Sequence, residues 1–204
     1  MNTKVSVLLA TLLAAAAPFA GAATNVAGGA AVTTTGTAFG NSNGWDNAAL
    51  ADPSTVTDGI FLATGQQWDT NTVFWGVSSG DLDTADTIFI TLAGAASVTG
   101  LHLQADNNDT YQVSYKDLAG HWTVLANVNP NTDSNWGLGD GFASFSAITA
   151  TAFMIQASGD AAYSVSEFQA TGDFLPAVPE PTSGLLMLAG LGALGAVARR
   201  RAAR

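Results

Sequence analysis

From residue 88 to residue 165 the chain repeats one pattern, an apolar side chain at every second position in short runs separated by polar clusters. Ile88, Ile90 and Leu92 make one run, and Leu101, Leu103 and Ala105 the next. Tyr111, Val113 and Tyr115 follow, then Trp122, Val124 and Ala126, then Phe153, Ile155 and Ala157, and last Tyr163 and Val165. Successive side chains of an extended chain point to opposite faces, so period two marks strands with one face buried. The clusters Asp106-Asn107-Asn108-Asp109, Leu118-Ala119-Gly120 and Asn129-Pro130-Asn131 are turn formers. Outside the two chain ends no helical repeat of ten or more residues interrupts the series. Short strands at this spacing predict an all-β fold, an antiparallel sandwich or barrel.

The two ends of the 204-residue chain differ in kind from this middle. Residues 1–22 hold Lys4, an apolar stretch from Val5 to Ala17, and the small residues Ala20-Gly21-Ala22. That is the order of a secretory signal, and it predicts a mature chain starting near Ala23. At the other end Pro179-Glu180-Pro181 precedes an uncharged stretch, Gly184 to Ala198, and then Arg199, Arg200, Arg201 and Arg204. Fifteen helical residues reach about 22 Å, short of a hydrocarbon core of about 30 Å, and arginine snorkelling closes part of the gap. The arginines are expected to stay cytoplasmic, which leaves the middle on the far side of the membrane. The expected organisation is a signal peptide over residues 1–22, a β domain over 23–175 and a tail over 176–204. A signal helix and a short transmembrane helix over 184–198 are expected to flank the domain.

Charge narrows the partners. Between the two ends fourteen Asp and Glu167 face Lys116 alone, a balance of −14. Such a surface repels phosphate backbones, so no nucleic-acid partner is expected. The chain has no cysteine, so neither disulfides nor a thiolate metal site is available.

Pro179-Glu180-Pro181, an apolar helix and a terminal arginine cluster together resemble the PEP-CTERM sorting signal of Gram-negative bacteria. The resemblance implies recognition and removal of the tail by a membrane-embedded exosortase, a cysteine transpeptidase-like enzyme. It implies export through the inner membrane, a temporary anchor there, and delivery to the cell surface or an extracellular matrix rich in exopolysaccharide. Pro179, Glu180, Pro181, Arg199, Arg200 and Arg201 are then the sorting residues. Released and surface-retained protein remain equally compatible with the tail.

The middle resembles a second family. Thr57-Asp58-Gly59, the strands Ile88–Leu92 and Val98–Leu103, the segment Tyr111–Tyr115 with Gly120-His121-Trp122, and Ser166-Glu167-Phe168 follow one another in the order of the discoidin-like or galactose-binding-like jelly roll. That family includes the coagulation factor type C and family 32 carbohydrate-binding modules. The fit is incomplete, since Thr91 stands where the family's core strand carries Asp, and Phe153-Met154-Ile155 lacks the family's late Arg. The resemblance implies an antiparallel jelly-roll sandwich and a structural calcium ion held by Asp58 and Glu167, with Asp52 and Thr55 as helpers. Glu167 is informative on its own, because it continues the face of Tyr163 and Val165, where an unpaired carboxylate is costly. Either that face ends before Glu167 or something neutralises it.

The remaining polar residues sort into candidates and loops. Aromatic side chains stack on sugar rings while Asn, Asp and His bond hydroxyls, which makes Trp45, Trp68, Trp136 and His121 the candidate glycan ligands. Trp75 and Trp122, on strands, are expected in the core. Asp106–Asp109 reads as a hairpin turn. Asp81, Asp83 and Asp86, and likewise Asn131–Asn135, have fragments of a calcium-loop spacing without its glycine and read as solvated loops. No Gly-x-Ser-x-Gly or His-Glu-x-x-His occurs, and a catalytic carboxylate pair has no pocket pointing to it. The expectation is a non-catalytic binding module for extracellular polysaccharide. A structural or adhesive matrix protein without a small-molecule site is the alternative, and a glycoside-active enzyme the third.

Overall fold

The computed structural model describes residues 24–45, 48–131 and 136–176. The signal peptide, the Pro-Glu-Pro motif, the 184–198 stretch and the arginines lie outside the described residues, as do residues 132–135 of the Asn131–Asn135 loop. No described helix is long and apolar enough to cross a membrane.

The described chain is all-β, as the period-two runs predict. Its strands are β1 (Thr24–Asn25), β2 (Ala31–Thr35), β3 (Val73–Gly76), β4 (Thr87–Asp106), β5 (Thr110–Lys116), β6 (Trp122–Val128), β7 (Leu138–Ser158) and β8 (Ala162–Phe174). One 3-10 turn, Pro53–Thr57, is the only helical element among the described residues. Every strand pairing is antiparallel, in the order β1-β8-β4-β7-β5-β6, with β2 also on β4 and β3 also on β8.

β4 and β7 organise the rest. They pair from Ile88 opposite Ile155 to Asp106 opposite Leu138, with register shifts between Thr91 and Ala96 and between Val98 and Gly100. The first part of β4 carries β2 on its free side and the second part carries β8, while the last part of β7 carries β5. The two strands therefore belong to both halves of a sandwich. β8 comes so close at the shift that a Cβ on Gly172 would stand 2.1 Å from the Ser97 carbonyl oxygen. Apolar side chains from both halves fill one core, in which the Phe153 and Phe168 rings lie 5.1 Å apart. Trp75 is wholly buried between Phe39 at 5.2 Å and Tyr163 at 5.5 Å.

Three expectations are corrected, and one alternative left open by the sequence is decided. On β6, Trp122 and Val124 are exposed, because this last strand of the order pairs only with β5 and its outer face has no covering layer. Trp122 instead lies 5.8 Å from Phe89 on the sheet surface, with the Lys116 Nζ 5.8 Å from its ring. Asp106–Asp109 is not a hairpin turn, since β7 lies between β4 and β5. Nor are Asp86, Asp106 and Asp109 solvated, each being 5% exposed or less. Lastly, the face of Tyr163 and Val165 ends before Glu167. A register shift places Val165 opposite Ala105 but Glu167 opposite Gln104, so Phe168 enters the core and Glu167 lies on the other face of the sheet, where the Gly59 stretch covers it.

Phe153 joins the two halves, so Phe153→Ala is expected to cost about 3–5 kcal/mol, the range for large aromatic truncations in a rigid core. Urea unfolding measures this, and a loss below about 1 kcal/mol would contradict a single shared core.

Candidate functional site

Three of the four sequence-predicted glycan residues meet in one cavity. Trp45, Trp68 and Trp136 line a concavity of about 260 Å³ together with Gln67, Asp106, Asn108, Gly137, Asp160 and Ala162. Four connections between strands, the end of β4 and the start of β8 supply these residues, and the tryptophans are each held by local chemistry. Trp45 closes a turn in which Asn43 and Gly44 take positive φ and its backbone N–H donates to the Ser42 carbonyl. Trp68 is almost buried and meets Phe74 edge-on at 5.8 Å, so it forms an anchored wall. Trp136 precedes Gly137, where a Cβ would fall 2.6 Å from the Gln66 carbonyl oxygen, so only glycine lets this stretch lie against residues 65–66. Trp45 and Trp136 are 71% and 60% exposed, leaving ring surface open to a ligand.

The polar side of the cavity is carboxylate and amide. The Asn108 Nδ2 donates to Asp160 Oδ2 at 2.7 Å, and the Ala162 N–H donates to Asp160 Oδ1 at 3.0 Å. Asp106 is 3% exposed and accepts the Asn107 N–H at 2.9 Å. Burial pushes Asp106 up to about 7; the Asn107 N–H pulls against this, and the charges of Asp160 and Asp69 add to it. Behind it Asp109 accepts the Asp160 N–H at 3.0 Å, while its other oxygen is buried without a hydrogen-bond partner. Burial raises Asp109 to about 8, opposed by that N–H and reinforced by Asp160 and Asp106.

His121 does not join this group. It sits in the turn after β5, whereas Asp106 and Asn108 lie before β5 begins, so the strand separates them. Its backbone N–H donates to Asp117 Oδ1 at 2.9 Å, which shapes the turn. That end of the domain holds a second concavity of about 680 Å³ around Phe89, Lys116, Leu118 and Trp122. β8 runs from the tryptophan cavity at Ala162 to Phe174, so the chain leaves toward the tail at the far end, up to about 40 Å away.

The calcium candidates lie along a third region. Residues 59–66 cross the outer face of β4, β7 and β8: the Gly59 N–H donates to Glu167 Oε2 at 3.2 Å and the Leu62 N–H to Gln104 Oε1 at 2.8 Å. Glu167 is fully buried under them, and burial raises it to about 7, with Gln169 and the Gly59 N–H pulling down and Asp58 pushing up. The fold thus brings Asp58 and Glu167 together. Asp52 instead caps the 3-10 turn, accepting the Ser54 N–H at 2.9 Å, and Thr55 Oγ1 donates to the Asp52 carbonyl at 2.8 Å. Among the described residues no three Asp, Glu, His or Cys gather closely enough to hold a metal by themselves.

Sequence reading passed over Asp106, Asn108 and Asp160 as ligand-facing groups. Only the order β4-β7-β5 reveals that the ends of β4 and β7 and the start of β8 converge.

A β domain with an aromatic cavity at one end, from whose opposite end β8 carries the chain out, is what these features define. The PEP-CTERM protein-sorting motif matches residues 177–201. No curated protein matches the chain. Solved structures similar to it include carbohydrate-binding modules. A fucose binding module of Streptococcus pneumoniae shares 15% identity at a TM-score of 0.49, covering 73% of this chain and 95% of that one. A chitosan-binding module from a Paenibacillus chitosanase/glucanase shares 19% at 0.46, covering 72% and 98%. The family 32 carbohydrate-binding module of Streptococcus pneumoniae EndoD shares 14% at 0.45, also covering 72% and 98%.

Asp106, Asp109 and Glu167 all hold their protons more tightly folded than unfolded, where carboxyls titrate near 4. Their contribution to stability is complete below that value and is lost as pH rises through 7 to 8. In chelator-containing buffer the melting temperature is therefore expected to be several degrees higher near about pH 5 than near about pH 8.5. Asp109→Asn should raise it at the alkaline end and flatten the slope; an unchanged slope would contradict the burial argument.

Proposed function

We infer that this protein is exported, sorted through its PEP-CTERM tail, and displays a non-catalytic glycan-binding module on a galactose-binding-like jelly roll. One observation carries the reading: Trp45, Trp68 and Trp136, distant in sequence, line a single cavity with two amides and two carboxylates. Its roughly 260 Å³ lies just under the usual range for small-molecule sites and suits one or two sugar units rather than a long segment of chain. Aromatic faces take the apolar faces of a pyranose, while Gln67, Asn108 and Asp160 bond its hydroxyls. The tail would hold the opposite end of the domain at the inner membrane until exosortase acts, which leaves the cavity facing outward toward exopolysaccharide.

Affinity electrophoresis of the chain in gels containing soluble bacterial exopolysaccharide tests this. Retardation is expected for the wild type, with a loss of tenfold or more in Trp136→Ala and Trp45→Ala. Mobility unaffected by any glycan would favour the structural or adhesive matrix protein instead. One feature favours glycoside hydrolysis as a second reading, since Asp106, raised to about 7 beside Asp160 in an aromatic cavity, has the character of a general acid. Release of reducing ends, abolished in Asp106→Asn, would establish it.

Calcium is proposed at Asp58 and Glu167. The fully buried Glu167 carboxylate has a hard-oxygen chemistry that suits the ion, and loop carbonyls would have to complete its coordination. Bound there, calcium would supply the charge that Glu167 otherwise lacks and pin residues 58–62 to β8. Millimolar calcium is expected to raise the melting temperature by several degrees in the wild type and not in Glu167→Gln. A melt indifferent to both calcium and chelator would overturn the assignment.

A further inference from the structure

We propose that the Trp45–Trp68–Trp136 cavity selects glycan units bearing a free ammonium group, as in a hexosamine stripped of its N-acetyl group, over neutral and anionic sugars. The proposal rests on the cavity being the glycan site and names the chemistry that site prefers. Its described lining holds two carboxylates, Asp106 and Asp160, and two amides, Gln67 and Asn108, with no Lys, Arg or His. Asp106 is buried at 3% exposure; its carboxylate accepts the Asn107 N–H, and the charges around it, Asp160 and Asp69, are both negative. A buried carboxylate without a cation is costly, and a ligand ammonium removes that cost. The three indole faces add to the preference, because a ring quadrupole attracts a cation placed over it.

The field of the whole domain acts in the same direction. Against fourteen Asp and Glu167 the domain sets Lys116 alone, and Lys116 lies in the second concavity at the other end of β5. Cationic ligands are drawn to such a surface and uronate or sulfate groups are held off, an effect that salt screens over about 10 Å. A neutral N-acetyl unit would stack on the same tryptophans but leave Asp106 uncompensated.

The test is isothermal titration of the whole chain, at near-neutral pH, with glucosamine, N-acetylglucosamine and uronate oligosaccharides of equal length. The glucosamine oligomer should bind at least tenfold more tightly than the N-acetylated one, and the uronate should not bind. High salt should shrink the preference, and so should Asp160→Asn, an exposed substitution whose melting temperature checks that it folds. Trp136→Ala should weaken both amino-sugar ligands together. Equal affinity for the two, or a preference untouched by salt and by Asp160→Asn, would overturn the ammonium selectivity while leaving a glycan site in place. No binding of any oligomer, with Trp136→Ala indistinguishable from wild type, would remove the glycan site itself.

Discussion

The pairing of β4 with β7 is the constraint on which the rest of the domain depends. Both strands run for about twenty residues and remain hydrogen-bonded through two register shifts, so each serves two halves of the sandwich. Every other strand except β3, β1 and β6 pairs with one of these two, and those three pair with β8 or β5. Once this ladder forms, Phe153 from β7 and Phe168 from β8 must meet inside, and the apolar runs close over a common core. The same ladder sets the polarity of the molecule. The β4–β5 connection and the starts of β7 and β8 gather at one end, and β8 carries the chain out at the other.

The domain is unusual in keeping several carboxyl groups away from water without cations. Asp106 and Asp109 lie under the cavity, and Glu167 lies under residues 59–66. Each is held by backbone N–H groups, which satisfy oxygens but supply no full charge. This arrangement trades stability for an acidic cavity and an acidic loop anchor, the two places where a ligand or ion of positive charge would complete the structure. Sites with displaced carboxyl titration are where binding and chemistry concentrate, which is why the tryptophan end of the molecule carries the functional reading.

Much of the fold was legible in the chain. The faces Ile88-Ile90-Leu92, Leu101-Leu103-Ala105 and Phe153-Ile155-Ala157 are buried as their alternation implies, because period two follows from backbone geometry alone. The alternation on Trp122, Val124 and Ala126 misled, since a strand at the edge of the order keeps the pattern without a layer to cover it. Glu167 was legible as an anomaly but not as a solution. A register shift by one residue reverses every later side chain, and nothing local in Val165-Ser166-Glu167 announces where it occurs. Trp45, Trp68 and Trp136 were recognisable as loop aromatics, while His121, chosen on the same grounds, falls at the opposite end.

What the sequence determined by itself is what short-range chemistry encodes: the strands, the turn formers, the charge, and the Pro-Glu-Pro tail matched over residues 177–201. What the tertiary structure decided is which of these meet. That three tryptophans share a cavity with Asp106 and Asp160, that Glu167 lies beneath Gly59 on the face opposite Phe168, and that the cavity lies far from the exit of β8 all depend on strand order and register. Those are properties of long-range pairing, settled by how β4 and β7 align although their partners, such as Ile88 and Ile155, lie far apart in the chain. No window of local sequence contains them.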